Sequence, residues 1–531
     1  MRGPMERRQF LQLGALSGAA PALSTPVRRF ELEEATIADL QRGMKSGAFT
    51  SRSLTEKYLE RIDEIDKRGP AINSVIEINP DALAIARALD KERLERGPRG
   101  PLHGIPVLIK DNIGTHDRMM TTAGSMALMG AIPPKDAFVA RRLREAGAVI
   151  LGKTNLSEWA DVRSHYSTSG WSPRGGQTRN PYALDRNPSG SSSGSGAAVS
   201  ANLAAVALGS ETDGSIVCPS SANGVVGIKP TVGLVSRSGV VPIAHSQDTV
   251  GPMARTVEDA AILLGALAGV DLEDSMTAES RDRPAADYTR FLDPAGLKGA
   301  RIGVSRNLFN AGPAVDRLLQ NAVDAMRHAG AEIVDPANLE TVGQFEAAEQ
   351  IVLLYELKAD MNKYLAGLGP AAPVHSLEEI IEFNEKNWKV EMPYFEQDRF
   401  LKAQSYGPLT TPEYLEAHEK AHRLTRSEGI DALMDRFRLD AIVAPTAGPA
   451  WVTDLVNGDH DSGKSSRPAA VAGYPNINVP AGSIFGLPVG ISFFGTAYSE
   501  PTLLKLAYAF EQSTRHRKPP RFLPVADLKV K

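Results

Sequence analysis

The chain has 531 residues, with 59 Lys and Arg against 63 Asp and Glu and a formal net charge of −4. Its apolar fraction of 42% excludes disorder as the default and leaves enough side chain for a large core. Near-balanced charge excludes a dominant polyanionic partner such as nucleic acid, and the one cysteine, Cys218, excludes an intramolecular disulfide and a cysteine-built zinc cluster.

In chain order, the first 24 residues have the layout of an address. Arg7-Arg8 is followed by Phe10-Leu11, a Gly/Ala-rich apolar stretch and the small-x-small site Ala20-Pro21-Ala22. That order predicts a twin-arginine export signal over 1–24 and a periplasmic or secreted protein over 25–531. Without export the chain would be cytoplasmic. No run of about 18 apolar residues is present, so no membrane span is expected. A prior of roughly 150 residues per domain predicts three or four domains.

Across 36–67, Ile37, Leu40, Met44, Leu54, Tyr58, Leu59, Ile62 and Ile65 recur at helical spacing. Asn79-Pro80-Asp81 opens another helix, with Leu83, Ile85, Ala86 and Leu89 on one face. After a Gly/Pro turn cluster at 96–101, the apolar run 105–109 reads as a buried strand, with Lys110 and Asp111 at its end. A helix over 138–148 and a buried strand over 148–151 follow. Residues 164–195 are rich in Ser, Gly, Asn, Pro and Arg. The next stretch, 197–209, is almost wholly small and apolar and predicts a closely packed helix. A polar loop feeding a buried helix is a place for a site. Residues 270–440 carry helical pattern, one strand at 301–305 and no chemical motif. Residues 439–445 and Leu487–Phe494 read as strands, and the basic tail from Arg515 reads as a solvated face.

Several patterns compete for the chemistry. Gly190-Ser191-Ser192-Ser193-Gly194 matches G-x-S-x-G, the nucleophile elbow of α/β-hydrolases, with Ser192 as nucleophile. An elbow needs a strand directly before it, and residues 180–189 contain Pro181 and Pro188. A Ser-His-Asp triad would draw on His103, His165 or His245, each of which reads more simply as a packing or turn residue. No H-E-x-x-H, no G-x-x-x-x-G-K-[ST] and no histidines at ligand spacing are present, so neither a metal nor a cofactor is expected. Three positions remain: Lys110 at a strand end, Ser191 in the Ser/Gly-rich loop, and Ser215 in Gly209-Ser-Glu-Thr-Asp-Gly-Ser215. Taken singly, the lysine reads as a snorkelling surface residue and each serine as a cap or turn former.

Together with their surroundings these positions resemble the amidase signature hydrolases. The resemblance covers most of 35–515 and is densest over 100–260. It is carried by Gly104-Ile-Pro-Val-Leu-Ile-Lys110-Asp111-Asn112, Gly152-Lys-Thr-Asn-Leu-Ser-Glu158, Gly190-Ser-Ser-Ser-Gly-Ser-Gly196, Gly227-Ile-Lys-Pro-Thr231, Asp248-Thr-Val-Gly-Pro-Met-Ala-Arg255 and Ala472-Gly-Tyr-Pro475. The family's catalytic groups are a lysine, a serine in a cis peptide, and a nucleophilic serine 24 residues later; here 215 − 191 = 24. The resemblance implies an α/β fold in one large domain, a mixed β-sheet core covered by helices on both faces, in place of three or four domains. It implies hydrolysis of carboxamide C–N bonds by Lys110, Ser191 and Ser215 through an acyl-serine. The backbone N–H groups of Thr212, Asp213, Gly214 and Ser215 would form the oxyanion hole, with no metal and no cofactor. The expected partner is a small-molecule or peptide amide substrate bound by a monomer or homodimer, with no nucleic acid.

The sequence departs from the family pattern where Ser189 replaces the loop's first glycine, Asp213 a glycine two before the nucleophile, and Val217 an arginine two after it. These departures resemble the bacterial peptide amidase branch, which removes ammonia from peptide C-terminal amides, and argue against the amidotransferase branch that acts on charged tRNA. The second reading is a general or aryl-acyl amidase on small amides, and the third is a non-catalytic or amidotransferase-like scaffold.

The chemistry is consistent with that trio. Amide hydrolysis needs an activated nucleophile, a proton for the leaving amine and a stabilised oxyanion. Lysine is a base only when neutral, so its ordinary pKa of about 10.4 must be lowered, here by the apolar run 105–109. The expected relay runs from the Ser215 hydroxyl through Ser191 to Lys110. Cys218, three residues past the nucleophile, reads as a small buried hydrophobe.

Overall fold

Strands drawn from residue 75 to residue 494 join in a single sheet. They are β1 (Val75–Ile78), β2 (Pro106–Lys110), β3 (Val149–Thr154), then, after a separate ribbon of β4 (Trp171–Ser172) and β5 (Gly176–Gln177), β6 (Val206–Glu211), β7 (Val226–Lys229), β8 (Thr249–Ala254), β9 (Arg301–Val304), β10 (Glu332–Val334), β11 (Ala441–Pro445), β12 (Asn476–Ile484) and β13 (Leu487–Phe494). The eleven-stranded order is β1-β3-β2-β6-β8-β7-β12-β13-β11-β9-β10. β3, β2 and β6 run parallel, as do β10, β9 and β11; the other neighbours are antiparallel. The computed structural model describes residues 30–283 and 287–529. The export signal expected over 1–24 lies outside the described residues. Residues from Glu34 on form one compact unit, and the length-based expectation of three or four domains is therefore corrected: one sheet gathers strands from almost the whole chain.

The early helices follow their apolar spacing. α1 (Ile37–Ser46) buries Ile37, Leu40 and Met44, starts in a capping box between Thr36 and Asp39, and ends at Gly47 with φ 79°. α2 (Ser51–Arg61) and α3 (Ala82–Arg96) follow; α3 buries Ala82, Ala86 and Leu89, while Leu83 and Ile85 are half-buried. α4 (Phe138–Glu145) stops before Gly147, whose φ of 79° turns the chain into β3.

The expectation of one helix over 197–209 is wrong. The chain forms α5 (Ser193–Ser200), turns at Asn202 in the left-handed region with φ 59°, and continues as β6. Both elements are buried on every side, so both read as small apolar runs, and periodicity cannot separate them. β7 and β8 are equally hidden from an apolar-run reading. They carry Gly227, Gly251 and Pro252, which resemble turn residues in sequence.

A helical layer covers the loops at one end of the sheet. α6 (Val217–Ala222) is a short buried helix after Ser215. In α7 (Glu346–Gly367), Leu353, Leu354, Leu357 and Met361 pack with Ala123, Ala127, Leu128 and Trp159. No helix among the described residues is long and apolar enough to cross a membrane.

Candidate active site

β2 and β6 are parallel neighbours, paired from Val107↔Val206 to Ile109↔Leu208, so Lys110 and Ser210 emerge together at their C-terminal ends. Open α/β sheets place ligands beyond such ends. Lys110 has no exposed surface. Its Nζ donates to Ser191 Oγ at 2.7 Å, to Ser210 Oγ at 2.9 Å and to the Ser210 carbonyl at 3.2 Å. Burial lowers its pKa to about 7, against the opposing charges of Asp248, Glu211 and Asp161. The snorkelling alternative for Lys110 is thus excluded.

The loop ahead of α5 carries Ser191. The Gly190–Ser191 peptide bond is cis. The Ser191 carbonyl accepts from the Ser157 N–H at 3.2 Å, and the Ser192 N–H donates to the Ser215 carbonyl at 3.1 Å. These bonds place the two serine-bearing segments side by side. Ser192 Oγ is spent on β6, donating to the Ser210 carbonyl at 3.1 Å and accepting the Ser210 N–H at 3.2 Å. Residues 180–189 contain no named strand. The strand–elbow–helix arrangement that would make Ser192 a nucleophile is absent.

Ser215 lies in the turn between β6 and α6 and is 9% exposed. Glu211 shapes that turn: its carboxylate accepts the N–H of Gly214 at 2.9 Å, Ile216 at 2.7 Å and Val217 at 3.0 Å. Gly214 has φ 78°, and a Cβ there would fall 2.9 Å from both Cys218 Sγ and Ser466 Oγ. The Gly214 N–H, expected as an oxyanion donor, is therefore already engaged. The N–H groups of Thr212, Asp213 and Ser215 have no acceptor among the described residues. The Asp213 side chain accepts from Ser466 Oγ at 2.6 Å and from Arg467 Nε at 3.3 Å. The hydroxyl of Ser215 makes no hydrogen bond among the described residues, so direct contact within the trio is between Lys110 and Ser191.

A cavity of about 320 Å³ opens beside this cluster, lined by Asn112, Ser210, Thr212, Val241, Asp248 and Tyr364 among others. Asn112 Nδ2 holds Ser210 Oγ at 2.8 Å, so it fixes the second acceptor of Lys110. Sequence reading missed Asn112, Ser210 and Glu211 as site residues. Their signal was present as polar side chains at the ends of two otherwise apolar strands. Cys218 is buried against Val217 and Ala447, and burial raises its thiol pKa, as befits a small hydrophobe. His103 is buried with Nε2 on the Leu89 carbonyl at 3.0 Å, and His165 pairs with Asp398. His245 lies with Asp360 and Glu356, at 2.8 Å and 3.4 Å, and these carboxylates outweigh desolvation to raise its pKa. Among the described residues, no histidine hydrogen-bonds to Ser191, Ser192 or Ser215.

The amidase family model matches residues 53–504. The solved structure of native peptide amidase from Stenotrophomonas maltophilia aligns with a TM-score of 0.89 at 51% identity, covering 93% of this chain and 100% of that one. The solved structure of an amidase family protein from Bacillus anthracis aligns with a TM-score of 0.83 at 38% identity, covering 92% of this chain and 93% of that one. A protein of Arabidopsis thaliana named a probable amidase is 45% identical over 503 residues, 93% of each chain. With this fold and these relatives, the chain belongs to the amidase signature family and is a hydrolase of carbon–nitrogen bonds.

Proposed function

We propose that the chain deamidates the C-terminal carboxamides of peptides, with Ser215 as nucleophile, Ser191 as proton bridge and Lys110 as base. The observation that carries this reading is the 2.7 Å contact between Lys110 Nζ and Ser191 Oγ, two fully buried side chains. A hydroxyl both donates and accepts, so Ser191 can take a proton from Ser215 while giving its own to neutral Lys110. Ser215 Oγ then bonds to the amide carbon, and the carbonyl oxygen gains negative charge. The N–H groups of Thr212, Asp213 and Ser215 are the donors left to hold that charge. The return of the proton through Ser191 to the amide nitrogen breaks the C–N bond and releases ammonia. Water attacks the acyl-Ser215 ester by the same route and frees the acid.

The peptide substrate class is supported by likeness to the peptide amidase of Stenotrophomonas maltophilia. Ammonia release from a panel of peptide C-terminal amides, free Asn and Gln, aliphatic amides and anilides tests it. Peptide amides are expected to be turned over fastest, and a strong preference for anilides would overturn the assignment. The twin-arginine pattern over 1–24 supports action outside the cytoplasm, which fractionation of cells expressing the full chain tests directly. Enzyme confined to the cytoplasmic fraction would count against export.

A further inference from the structure

β6 and β8 are antiparallel neighbours, paired from Val206↔Ala254 to Glu211↔Thr249. The ladder stops there, and the next two residues in register are Thr212 and Asp248. They are joined through side chains in place of backbone: Thr212 Oγ1 donates to Asp248 Oδ1 at 2.5 Å. A hydroxyl bonded to a carboxylate at that length is a strong, orienting contact. The carbonyl of Thr212 is held from the same side, accepting from Gln247 Nε2 at 3.3 Å. The Thr212 N–H alone has no acceptor among the described residues. One loop, 243–248, therefore fixes the side chain and the carbonyl of Thr212 and leaves its N–H free.

That loop is itself braced. Asp248 Oδ2 accepts the N–H of Ile243 at 2.8 Å and of Ala244 at 3.0 Å, so one carboxylate both closes the loop and grips Thr212. On its other side the loop is tied to α7. The His245 N–H donates to Asp360 at 2.9 Å, and the N–H and Oγ of Ser246 donate to Glu356 at 3.0 Å and 2.8 Å. Glu356 has no exposed surface. Thr212 and Asp248 both line the 320 Å³ cavity, so the pair borders space that a bound molecule can enter. The contact falls on the residue where β6 gives way to the turn that carries Ser215.

We propose that Asp248 is a positioning residue that holds Thr212 so that its free N–H faces the oxyanion developing on the substrate carbonyl. This rests on the proposed acyl-serine mechanism. A donor aimed in advance at the transition-state charge raises kcat and has little effect on ground-state binding. The hydroxyl of Thr212 and the carboxylate of Asp248 should then act as a unit.

The test measures ammonia release from N-acetyl-leucinamide by the parent, Thr212→Val, Thr212→Ser, Asp248→Asn and the Thr212→Val/Asp248→Asn double variant, with thermal melts as a folding control. Thr212→Val keeps the shape and loses the hydroxyl. It should lower kcat by about 10- to 50-fold and move KM by less than about threefold. Thr212→Ser restores a hydroxyl and should regain most of the lost rate. Asp248→Asn should lower kcat in the same direction, and the double variant should fall no further than the worse single one. A second readout is inhibition by N-acetyl-leucinal. Ser215 Oγ bonds to its aldehyde carbon, the serine proton passes through Ser191 to Lys110, and the aldehyde oxygen becomes the oxyanion. Affinity for the aldehyde should fall in step with kcat, while affinity for N-acetyl-leucinol, which forms no such adduct, stays within about twofold. A kcat for folded Thr212→Val close to the parent's, losses that multiply in the double variant, or equal losses for aldehyde and alcohol each overturn the proposal. Tight aldehyde binding by Ser215→Ala would instead overturn the acyl-serine reading and, with it, this inference.

Discussion

Glu211 brackets Ser215: its carboxylate accepts one backbone N–H just before the serine, from Gly214, and two just after it, from Ile216 and Val217. One buried side chain thus fixes the turn on both sides of Ser215, and burial raises its pKa against the opposing charge of Lys229 and the N–H groups it accepts. Glu211→Gln keeps the shape but replaces one acceptor oxygen with an NH₂ group facing an N–H. Stability should fall by about 2–3 kcal/mol, and kcat by roughly 10- to 100-fold as the oxyanion donors lose alignment. Thermal melts and single-turnover acylation on one preparation would check this; wild-type acylation in a destabilised variant would refute the alignment argument.

The pH dependence follows from Lys110. Its pKa near 7 means that the neutral, basic form accumulates as pH rises through 7. The acidic limb of kcat/KM should therefore rise through about pH 7, and Lys110→Arg should be inactive throughout because arginine stays charged. Stability has its own sign. The folded value near 7 lies below the ordinary 10.5, so between those values the unfolded chain holds more protons and this residue's contribution improves with pH. Lys110→Met removes the buried charge along with the base. Its stability relative to the parent should be greatest at pH 6 and shrink as pH rises from 7 toward 10. Denaturant titrations of both proteins across that range would show a pH-independent difference if Lys110 is not the group titrating.

Lys110, Ser191 and Ser215 stood out as candidates because the motifs around them resemble those of the family, and the structure brings Lys110 and Ser191 into contact. The edges of that legibility have physical causes. Apolar periodicity located α1 and β2, yet merged α5 with β6, since two elements buried on every side look alike in sequence. Glu211 reads as an ordinary strand-end carboxylate until Gly214, Ile216 and Val217 fold back on it. His245 is more than 100 residues from its partners Glu356 and Asp360 in sequence and meets them only when α7 packs over the loop.

Ser192 and Ser215 are separable by mutation. Ser192 Oγ bonds to the Ser210 carbonyl and N–H, so it secures the loop against β6. Ser192→Ala should cost about 1–2 kcal/mol of stability and keep most of the activity of the folded fraction. Ser215→Ala should melt near the parent and form no acyl-enzyme. Intact-mass measurement after brief mixing with a slow amide substrate distinguishes them, and an acyl adduct on Ser215→Ala would require a different nucleophile.

The final prediction concerns the charge beside the proposed oxyanion hole. Asp213 supplies one of the expected N–H donors, and its side chain, two residues before Ser215, accepts from Ser466 Oγ at 2.6 Å. Arg467 answers the Asp213 charge, with Nε 3.3 Å from Asp213 and 3.1 Å from Glu349. Burial and, after it, the Asp213 charge push the Glu349 pKa up, which weakens the hold of Glu349 on the arginine it shares with Asp213. Arg467→Ala would leave the Asp213 carboxylate held only by Ser466, and its repulsion would fall on the transition state. The arginine is 44% exposed, so solvent screens much of the pair, and kcat should drop by only about 3- to 10-fold. Asp213→Asn in the Arg467→Ala background removes the repelling charge and keeps an acceptor for Ser466, and it should restore most of the lost rate. The double-mutant cycle reads this coupling directly. Additive losses would mean that Arg467 supports the loop by packing alone, whereas recovery that weakens as salt is added would identify the electrostatic balance as the cause.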